Sequence, residues 1–260
     1  MKLKVFVVNA FSEKKFGGNP AAVVPLNEWL SDMLMQQFAA QNNLSETAYF
    51  IPREDGYGIR WFTPLLEVDL CGHATLAVAH VLFGHLGYNR EQIIFHSKSG
   101  NLHVTRNNGK ITLDFPAKQP EKTDNGGLIE KALGVKPKSV YKSAFDYMAV
   151  MESQTEIEML KPDFVEMKKL AARGLIVTAK GNEVDFVSRC FYPQSGIDED
   201  PVTGSAHVVM VPYWAKLTGK NKLSAIQLSS RKGYLDCELA GDRVLMSGHA
   251  HTYLEGDFYI

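Results

Sequence analysis

Hydrophobic and polar positions along the chain predict many short strands interrupted by a few helices. Valine-rich apolar runs bounded by Gly, Asn or Pro are typical of β-strands. Segment Trp29–Gln41 differs, because Leu30, Leu34 and Phe38 recur at a spacing of four and predict an amphipathic helix that Asn27 can cap. The predicted strands are Leu3–Asn9, Ala21–Val24, Thr47–Ile51, Gly58–Phe62, Ile93–His96, Asn101–Arg106 and Lys110–Phe115.

Turn-forming residues divide this pattern and suggest a domain boundary. A turn is expected at Asp55-Gly56, and Asn107-Asn108-Gly109 joins the last two predicted strands into a hairpin. Segment 116–127 is polar and rich in Pro and Gly, which predicts a linker. We therefore expect one domain over residues 1–117 and a second over 118–260, with a final strand that can return to the first domain.

An internal repeat is the most informative feature of the sequence. In each copy an Arg-x-Phe-x-Pro segment is followed by an acidic loop, an x-Gly-x-Ala segment and an apolar helical run. The two helix starts lie 132 residues apart, about half the chain length, which predicts two similar domains facing each other across a cleft. The matching segments are Arg60–Pro64 with Arg189–Pro193, Cys71–Ala74 with Thr203–Ala206, and the helical runs that end at Gly87 and Gly219.

Composition excludes several classes of protein. With 28 Lys and Arg against 29 Asp and Glu, the net charge of −1 gives no electrostatic basis for binding nucleic acid. No apolar run reaches the 18 residues of a membrane span, so we expect a soluble protein. The three cysteines are too few and too scattered for a disulfide scaffold, which favours a cytoplasmic location.

The two repeated helix starts are candidate sites for an anion. Backbone N–H groups at residues 72–73 and 204–205 can bind the carboxylate of a small substrate, although both glycines could serve only to permit a tight turn. Cys71 occupies the position of Thr203 in the second copy, so this chain has one thiol where a two-base epimerase needs a base on each face. Cys71 is either a reactive thiol or an inert buried residue.

Three further side chains lie near these helix starts in sequence. Glu46 stands between the predicted helix and an apolar strand, where it is either a partly desolvated general base or a surface glutamate. Asp200 ends an acidic segment expected to be a solvated loop, and it is the carboxylate most suited to turn toward the second helix start. His73 is either a core residue or a cleft residue. His80 and His85 lack other ligands at a metal-binding spacing, so no metal is expected.

Several motifs together resemble the PhzF-type phenazine-biosynthesis isomerase family. They occur in the family's order over residues 16 to 206. The resemblance implies an α+β fold similar to diaminopimelate epimerase, with two pseudo-symmetric domains, each a β-barrel-like sheet wrapped around a central α-helix. It also implies an active site between the domains and a homodimer. The motifs are Phe16–Pro20, Leu44–Ala48, Arg60–Pro64 continuing through Val68–Thr75, and Gly196–Ala206.

The resemblance also assigns roles to individual residues. Glu46 matches the proton-shuttling glutamate, and a single carboxylate that moves a proton between two carbons agrees with the missing second thiol. No cofactor is implied. The predicted function is thus a cofactor-independent isomerase acting on a small carboxylate by intramolecular proton transfer; the alternatives are a racemase or epimerase using Cys71, or a non-catalytic binding protein. The remaining matches are His73, Asp200 and Ser205 at the reacting centre, and Asn19, Asp69, Gly72 and Gly204 in substrate-positioning loops.

Overall fold

The computed structural model describes residues Lys2–Tyr259 and divides them into two compact units. The first unit contains the described residues up to Asp114 together with those from Met246 onward, and the second is Phe115–Leu245. The divisions therefore follow residues 114 and 245, where the sequence analysis placed a single boundary after residue 117. The last strands of the chain belong to the first unit.

The first unit is a mixed sheet with two helices. Valine, isoleucine and aromatic residues dominate its strands, in line with their preference for a pleated, buried surface. All seven strands predicted from the sequence are present, each within two residues of its predicted ends except at the start of β3 and β4 and their neighbours, where pairing extends the strand. Its elements are β1 Lys2–Ala10, β2 Asn19–Pro25, α1 Asp32–Asn42, β3 Glu46–Arg53, β4 Gly56–Phe62, β5 Glu67–Val68, α2 Gly72–Gly84, β6 Gln92–Ser97, β7 Gly100–Asn107 and β8 Lys110–Pro116.

Strand pairing in the first unit brings the N-terminal ends of β2 and β3 together. These strands are parallel, with Ala21 opposite Glu46. On either side, β1 is antiparallel to β2 and β4 is antiparallel to β3, while β6 is parallel to β4. Helix α2 packs against β1, β2 and β3, and ten of its thirteen residues are buried. A helix that is apolar on all sides is buried on all sides, so α2 is the central helix of this unit.

The second unit repeats this arrangement around a second buried helix. Helix α6 has nine buried residues of fifteen and packs against the two strands that follow it. The elements are β9 Glu121–Thr123, α3 Gly126–Leu133, β10 Ser139–Lys142, β11 Asp146–Val150, α4 Gln154–Met159, α5 Phe164–Met167, β12 Gly174–Lys180, β13 Phe186–Tyr192, β14 Ile197–Asp200, α6 Gly204–Thr218, β15 Lys222–Gln227, β16 Gly233–Ala240 and β17 Arg243–Gly248; β18, Ala250–Tyr259, follows in the first unit and pairs with β1.

The two units share one pattern of strand pairing. Strands β11 and β12 are parallel, with Asp146 opposite Gly174, as β2 and β3 are in the first unit. Strand β13 is then antiparallel to β12 and parallel to β15, as β4 is to β3 and β6. This duplicated order confirms the predicted α+β architecture of two similar units, each with a sheet and a central helix.

Three local expectations were wrong. Helix α1 begins at Asp32, because the Ser31 hydroxyl, rather than Asn27, accepts the backbone N–H of Leu34. The expected linker contains β9, whose backbone pairs with β10. The expected acidic loop is strand β14, which pairs with β13. In the last two cases a partner strand satisfies the backbone, and that partner cannot be seen in local composition.

Candidate active site

Three polar side chains meet at the start of the central helix of the first unit. Asn19 is the first residue of β2, Glu46 the first of β3, and His73 the second of α2. The parallel pairing of β2 with β3 places Asn19 and Glu46 at the same end of the sheet, where α2 begins. Each is therefore fixed by an element end and not by a long loop.

His73 lies at the centre of this cluster and is neutral. It is 3% exposed, and burial lowers the pKa of its imidazole to about 3. The Asn19 Nδ2 amide lies 3.2 Å from His73 Nδ1 and can only donate, so Nδ1 accepts and the ring proton is on Nε2. Nε2 lies 3.2 Å from Glu46 Oε2. The imidazole thus presents its single N–H on the side of the Glu46 carboxylate.

Glu46 combines partial burial with access to solvent. Its side chain is 13% exposed, whereas Ala48 and Phe50, on the same side of β3, are fully buried or nearly so. A carboxylate at the rim of an apolar strand, beside a neutral imidazole, is suited to accept a proton from a bound molecule and return it. This is the partly desolvated environment expected for a general base.

Cys71 completes the first cluster. It precedes α2 as the N-cap residue, and its Sγ lies 3.5 Å from His73 Nδ1. One donor atom from each of Glu46, Cys71 and His73 lies within 4.8 Å of the others, and carboxylate, thiolate and imidazole are all ligands that zinc accepts. The expectation that the chain binds no metal rested on His80 and His85, so it did not consider this grouping and stays a prediction.

The start of α6 in the second unit is held by a hydrogen-bonded network. Thr203 Oγ1 donates to Asp200 Oδ2 at 2.5 Å and accepts from Gln227 Nε2 at 3.3 Å. The same Gln227 amide donates to the Asp200 carbonyl and accepts the Thr203 backbone N–H, at 2.7 and 2.8 Å. Asp200 is 8% exposed and Gln227 is buried. The network fixes the backbone immediately before Gly204 and Ser205.

A charged pair that the sequence analysis missed lies beside this network. Arg173 Nε donates to Asp146 Oδ1 at 2.9 Å, and Nη2 donates both to Asp146 Oδ2 and, at 3.0 Å, to Ser205 Oγ. Asp146 is 2% exposed, while the Arg173 side chain is 38% exposed. Burial acts to lower the pKa of Arg173, but the hydrogen bond to Asp146 outweighs it and the pKa lies above its ordinary value.

The structure gathers most of the predicted site residues into these two clusters. Asn19, Glu46 and His73 meet in the first unit, with Gly72 as the first residue of α2. Asp200 and Ser205 lie on either side of Gly204 in the second. The Asp69 side chain joins neither cluster through a hydrogen bond within residues 2–259, and its carbonyl accepts from Ser99 Oγ at 2.9 Å. The expected cleft between the units stays a prediction.

Other titratable side chains have structural surroundings. The Nε2 atoms of His80 and His85 lie 3.0 and 2.7 Å from the Thr252 hydroxyl. All three cysteines are buried and free, and burial raises the pKa of Cys190 and of Cys237. Within residues 2–259, no helix combines the length and apolar character needed to cross a bilayer.

The duplicated units define the class of protein, which is the diaminopimelate epimerase-like fold. A hydroxyproline epimerase from Agrobacterium vitis shares it, with a TM-score of 0.63 at 9% identity over 98% of this chain and 92% of that one. The profile of the family described as phenazine biosynthesis-like protein matches residues 8–256. The chain therefore belongs to the phenazine biosynthesis-like, or PhzF-type, family, as its motifs predicted.

Individual relatives agree with this assignment. An uncharacterized isomerase of Pseudomonas aeruginosa is 47% identical over 260 residues, covering all of both chains. The crystal structure of a PhzF-family phenazine biosynthesis protein from Enterococcus faecalis has a TM-score of 0.97 at 44% identity and also covers both chains fully. The family and its relatives support an isomerase or epimerase activity. Homodimer formation and a cytoplasmic location stay predictions.

Proposed function

We propose that this protein is an isomerase that moves a proton between two carbons of a small carboxylate substrate without a cofactor, with Glu46 as the group that takes and returns the proton. The observation that carries the proposal is the 3.2 Å separation of Glu46 Oε2 from His73 Nε2 at the solvent-accessible rim of a buried cluster. A single carboxylate that accepts a proton at one carbon and delivers it at another needs no second base.

His73 has a supporting role in this proposal. Because its imidazole is neutral and its N–H is on Nε2, it presents a hydrogen-bond donor toward the carboxylate without neutralising it through a full positive charge. Glu46 therefore stays a competent base. Asn19 holds the tautomer by donating to Nδ1, since the other tautomer would set two donors against each other.

Deuterium exchange followed by NMR tests this proposal directly. Cyclic, unsaturated and amino-acid carboxylates are incubated in D₂O with wild-type protein and with Glu46→Gln. We expect isomerisation or deuterium incorporation for at least one compound, and a rate about 10²- to 10⁴-fold lower in the variant, the range of general acid–base catalysis. Glu54→Gln, which changes an exposed turn glutamate, is the matched control and retains the wild-type rate.

Each result has a definite meaning. Exchange that persists at the wild-type rate in Glu46→Gln rules out Glu46 as the base. Exchange that survives EDTA in the wild type but disappears on adding zinc places the reaction in the Glu46, Cys71 and His73 grouping and supports a metal-independent step. Exchange abolished by EDTA contradicts the cofactor-independent part of the proposal.

A second candidate function is a racemase or epimerase that uses the Cys71 thiol. It is favoured by the 3.5 Å separation of Cys71 Sγ from His73 Nδ1, which allows the thiol proton to pass to an imidazole. Cys71→Ser distinguishes the two. The proton-shuttle proposal expects a change of less than about threefold, whereas loss of turnover in Cys71→Ser with activity retained in Glu46→Gln favours the epimerase.

A further inference from the structure

The second unit contains, at corresponding positions, a different version of the Glu46 and His73 cluster. The repeat aligns His73 with Ser205, since both are the second residue of their central helix. The strand register aligns Glu46 with Gly174, since each is the first residue of the strand that pairs in parallel with its predecessor. Arg173 precedes Gly174 directly and bonds to Ser205. A basic pair thus stands where the first unit has a proton-transfer pair.

Gly174 explains why no acid or base occupies the position of Glu46. A Cβ at Gly174 would lie 2.2 Å from the Tyr192 ring and 2.5 Å from the Phe191 carbonyl oxygen. Real Cβ atoms do not approach backbone or ring atoms so closely, so every side chain larger than hydrogen is excluded. The functional side chain at this end of the sheet is therefore the preceding residue, Arg173.

The Arg173 guanidinium is oriented and retains unused donors. Asp146 holds one edge through Nε and Nη2, and the Tyr192 and Phe145 rings lie 5.2 and 5.9 Å from the guanidinium carbon. Within residues 2–259, Nη1 makes no hydrogen bond, and the side chain is 38% exposed. A fixed guanidinium with free, accessible N–H groups is suited to bind a carboxylate through charge-assisted hydrogen bonds.

Ser205 adds a second donor next to the first. Its Oγ accepts from Arg173 Nη2, so its own hydroxyl hydrogen is free to point to another acceptor. Ser205 is half-buried, and Phe145 beside Arg173 is 64% exposed. Together they give two hydrogen-bond donors, one positive charge and an adjacent aromatic ring. This combination matches a carboxylate attached to an apolar or unsaturated ring.

We infer that Arg173, positioned by Asp146 and acting with Ser205, is the residue that recognises the substrate's carboxylate and makes the protein select an anion over its neutral analogue. The inference rests on the proposed function for the choice of substrate class. It does not depend on turnover, because recognition is measured by binding alone.

The test compares benzoate with benzamide, which have the same ring and differ in charge. Dissociation constants are measured by ligand-observed NMR for wild type, Arg173→Gln, Ser205→Ala and Glu46→Gln. We expect wild type to bind benzoate at least about tenfold more tightly than benzamide, and Arg173→Gln to reduce that preference to less than about twofold. Ser205→Ala reduces it partly. Glu46→Gln keeps the preference while losing exchange.

Two further variants control for folding and for net charge. Because Arg173→Gln leaves Asp146 buried without its cation, the double variant Asp146→Asn with Arg173→Gln removes both charges and is expected to lose the same preference. Lys220→Gln removes one positive charge just beyond the C-terminal end of α6, about 20 Å along the helix from Ser205, and is expected to keep it.

The outcomes separate this inference from the proposed function. A wild-type protein that does not prefer benzoate, or an unchanged preference in both Arg173 variants, overturns the role of Arg173. Equal loss in Lys220→Gln also overturns it, since the effect would then follow net charge. Absence of deuterium exchange in the wild type counts against the proposed function alone and leaves a measured preference for benzoate in place.

Discussion

The starts of helices α2 and α6 occupy the same place in two similarly built units but have different chemistry. Around α2, a neutral imidazole links an amide to a carboxylate through contacts of 3.2 Å. Around α6, an arginine joins a buried aspartate to a serine. In each unit the three contributing residues come from the same elements: the start of the second strand, the start of the third strand and the start of the central helix. The duplicated scaffold fixes these positions, and the side chains alone determine whether a position can transfer a proton or bind a charge.

The largest expected difference between the two clusters is in stability. Arg173→Gln leaves the 2%-exposed Asp146 carboxylate without its cation, which costs about 3–5 kcal/mol in the free energy of unfolding. Asn19→Leu in the first unit removes one hydrogen bond to a neutral ring and costs about 1 kcal/mol. Denaturant unfolding of both variants measures the difference. Equal costs would show that Arg173 and Asp146 do not form a tight pair in solution.

The pH dependence of stability should belong mainly to buried histidines such as His73. Its pKa falls from its ordinary 6.5 to about 3 on folding, so between these pH values the unfolded chain binds more protons and stability decreases as pH falls. His73→Gln should reduce this slope by up to about 1.4 kcal/mol per pH unit.

Unfolding free energies measured from pH 7 to pH 4 test this slope. His207→Gln is the matched comparison in the second unit, because burial lowers the pKa of His207 to about 4 and its window is therefore narrower. If His73→Gln leaves the slope unchanged, the imidazole is protonated in the folded protein, and its role as a neutral donor is wrong.

A smaller effect is expected on the tautomer of His73. Asn19→Leu removes the amide that donates to Nδ1, so part of the population moves its proton from Nε2 to Nδ1. The exchange rate should fall by about tenfold, the equivalent of one hydrogen bond. The ¹⁵N chemical shifts of the His73 ring report the tautomer independently. A lower rate with unchanged ring shifts would assign Asn19 a direct contact with substrate.

The smallest difference is expected where the two units have the same side chains. Arg60 bonds Glu67 at 2.7 and 2.8 Å, and Arg189 bonds Glu199 at 2.8 Å through the same two nitrogens. Lysine cannot reproduce this two-point geometry, so Arg60→Lys and Arg189→Lys should each cost about 1 kcal/mol. The two values should agree within about 0.5 kcal/mol by urea unfolding. A larger gap would mean that the units differ in more than their helix starts.

Sequence patterns predicted the repeated parts of this molecule well. The helix starts at Gly72 and Gly204 were found because the flanking segments repeat at a fixed offset of 132 residues. Arg173 was missed because the offset differs at the strands, where Glu46 aligns with Gly174, 128 residues on. A single sliding comparison therefore pairs neither Glu46 with Gly174 nor Arg173 with its neighbour. Asp146 was missed because nothing in its local sequence indicates that it is buried.

The sequence by itself determined the apolar strands, the two buried helices, the internal duplication and the family, since these depend on local periodicity and on motifs that can be read along the chain. Only the tertiary structure decided which polar side chains meet. Parallel pairing of β2 with β3 and of β11 with β12 brings residues about 27 positions apart to one end of a sheet, and burial there sets the charge of His73 and joins Arg173 to Asp146. Contact and desolvation are properties of neighbours in space, so linear patterns do not contain them.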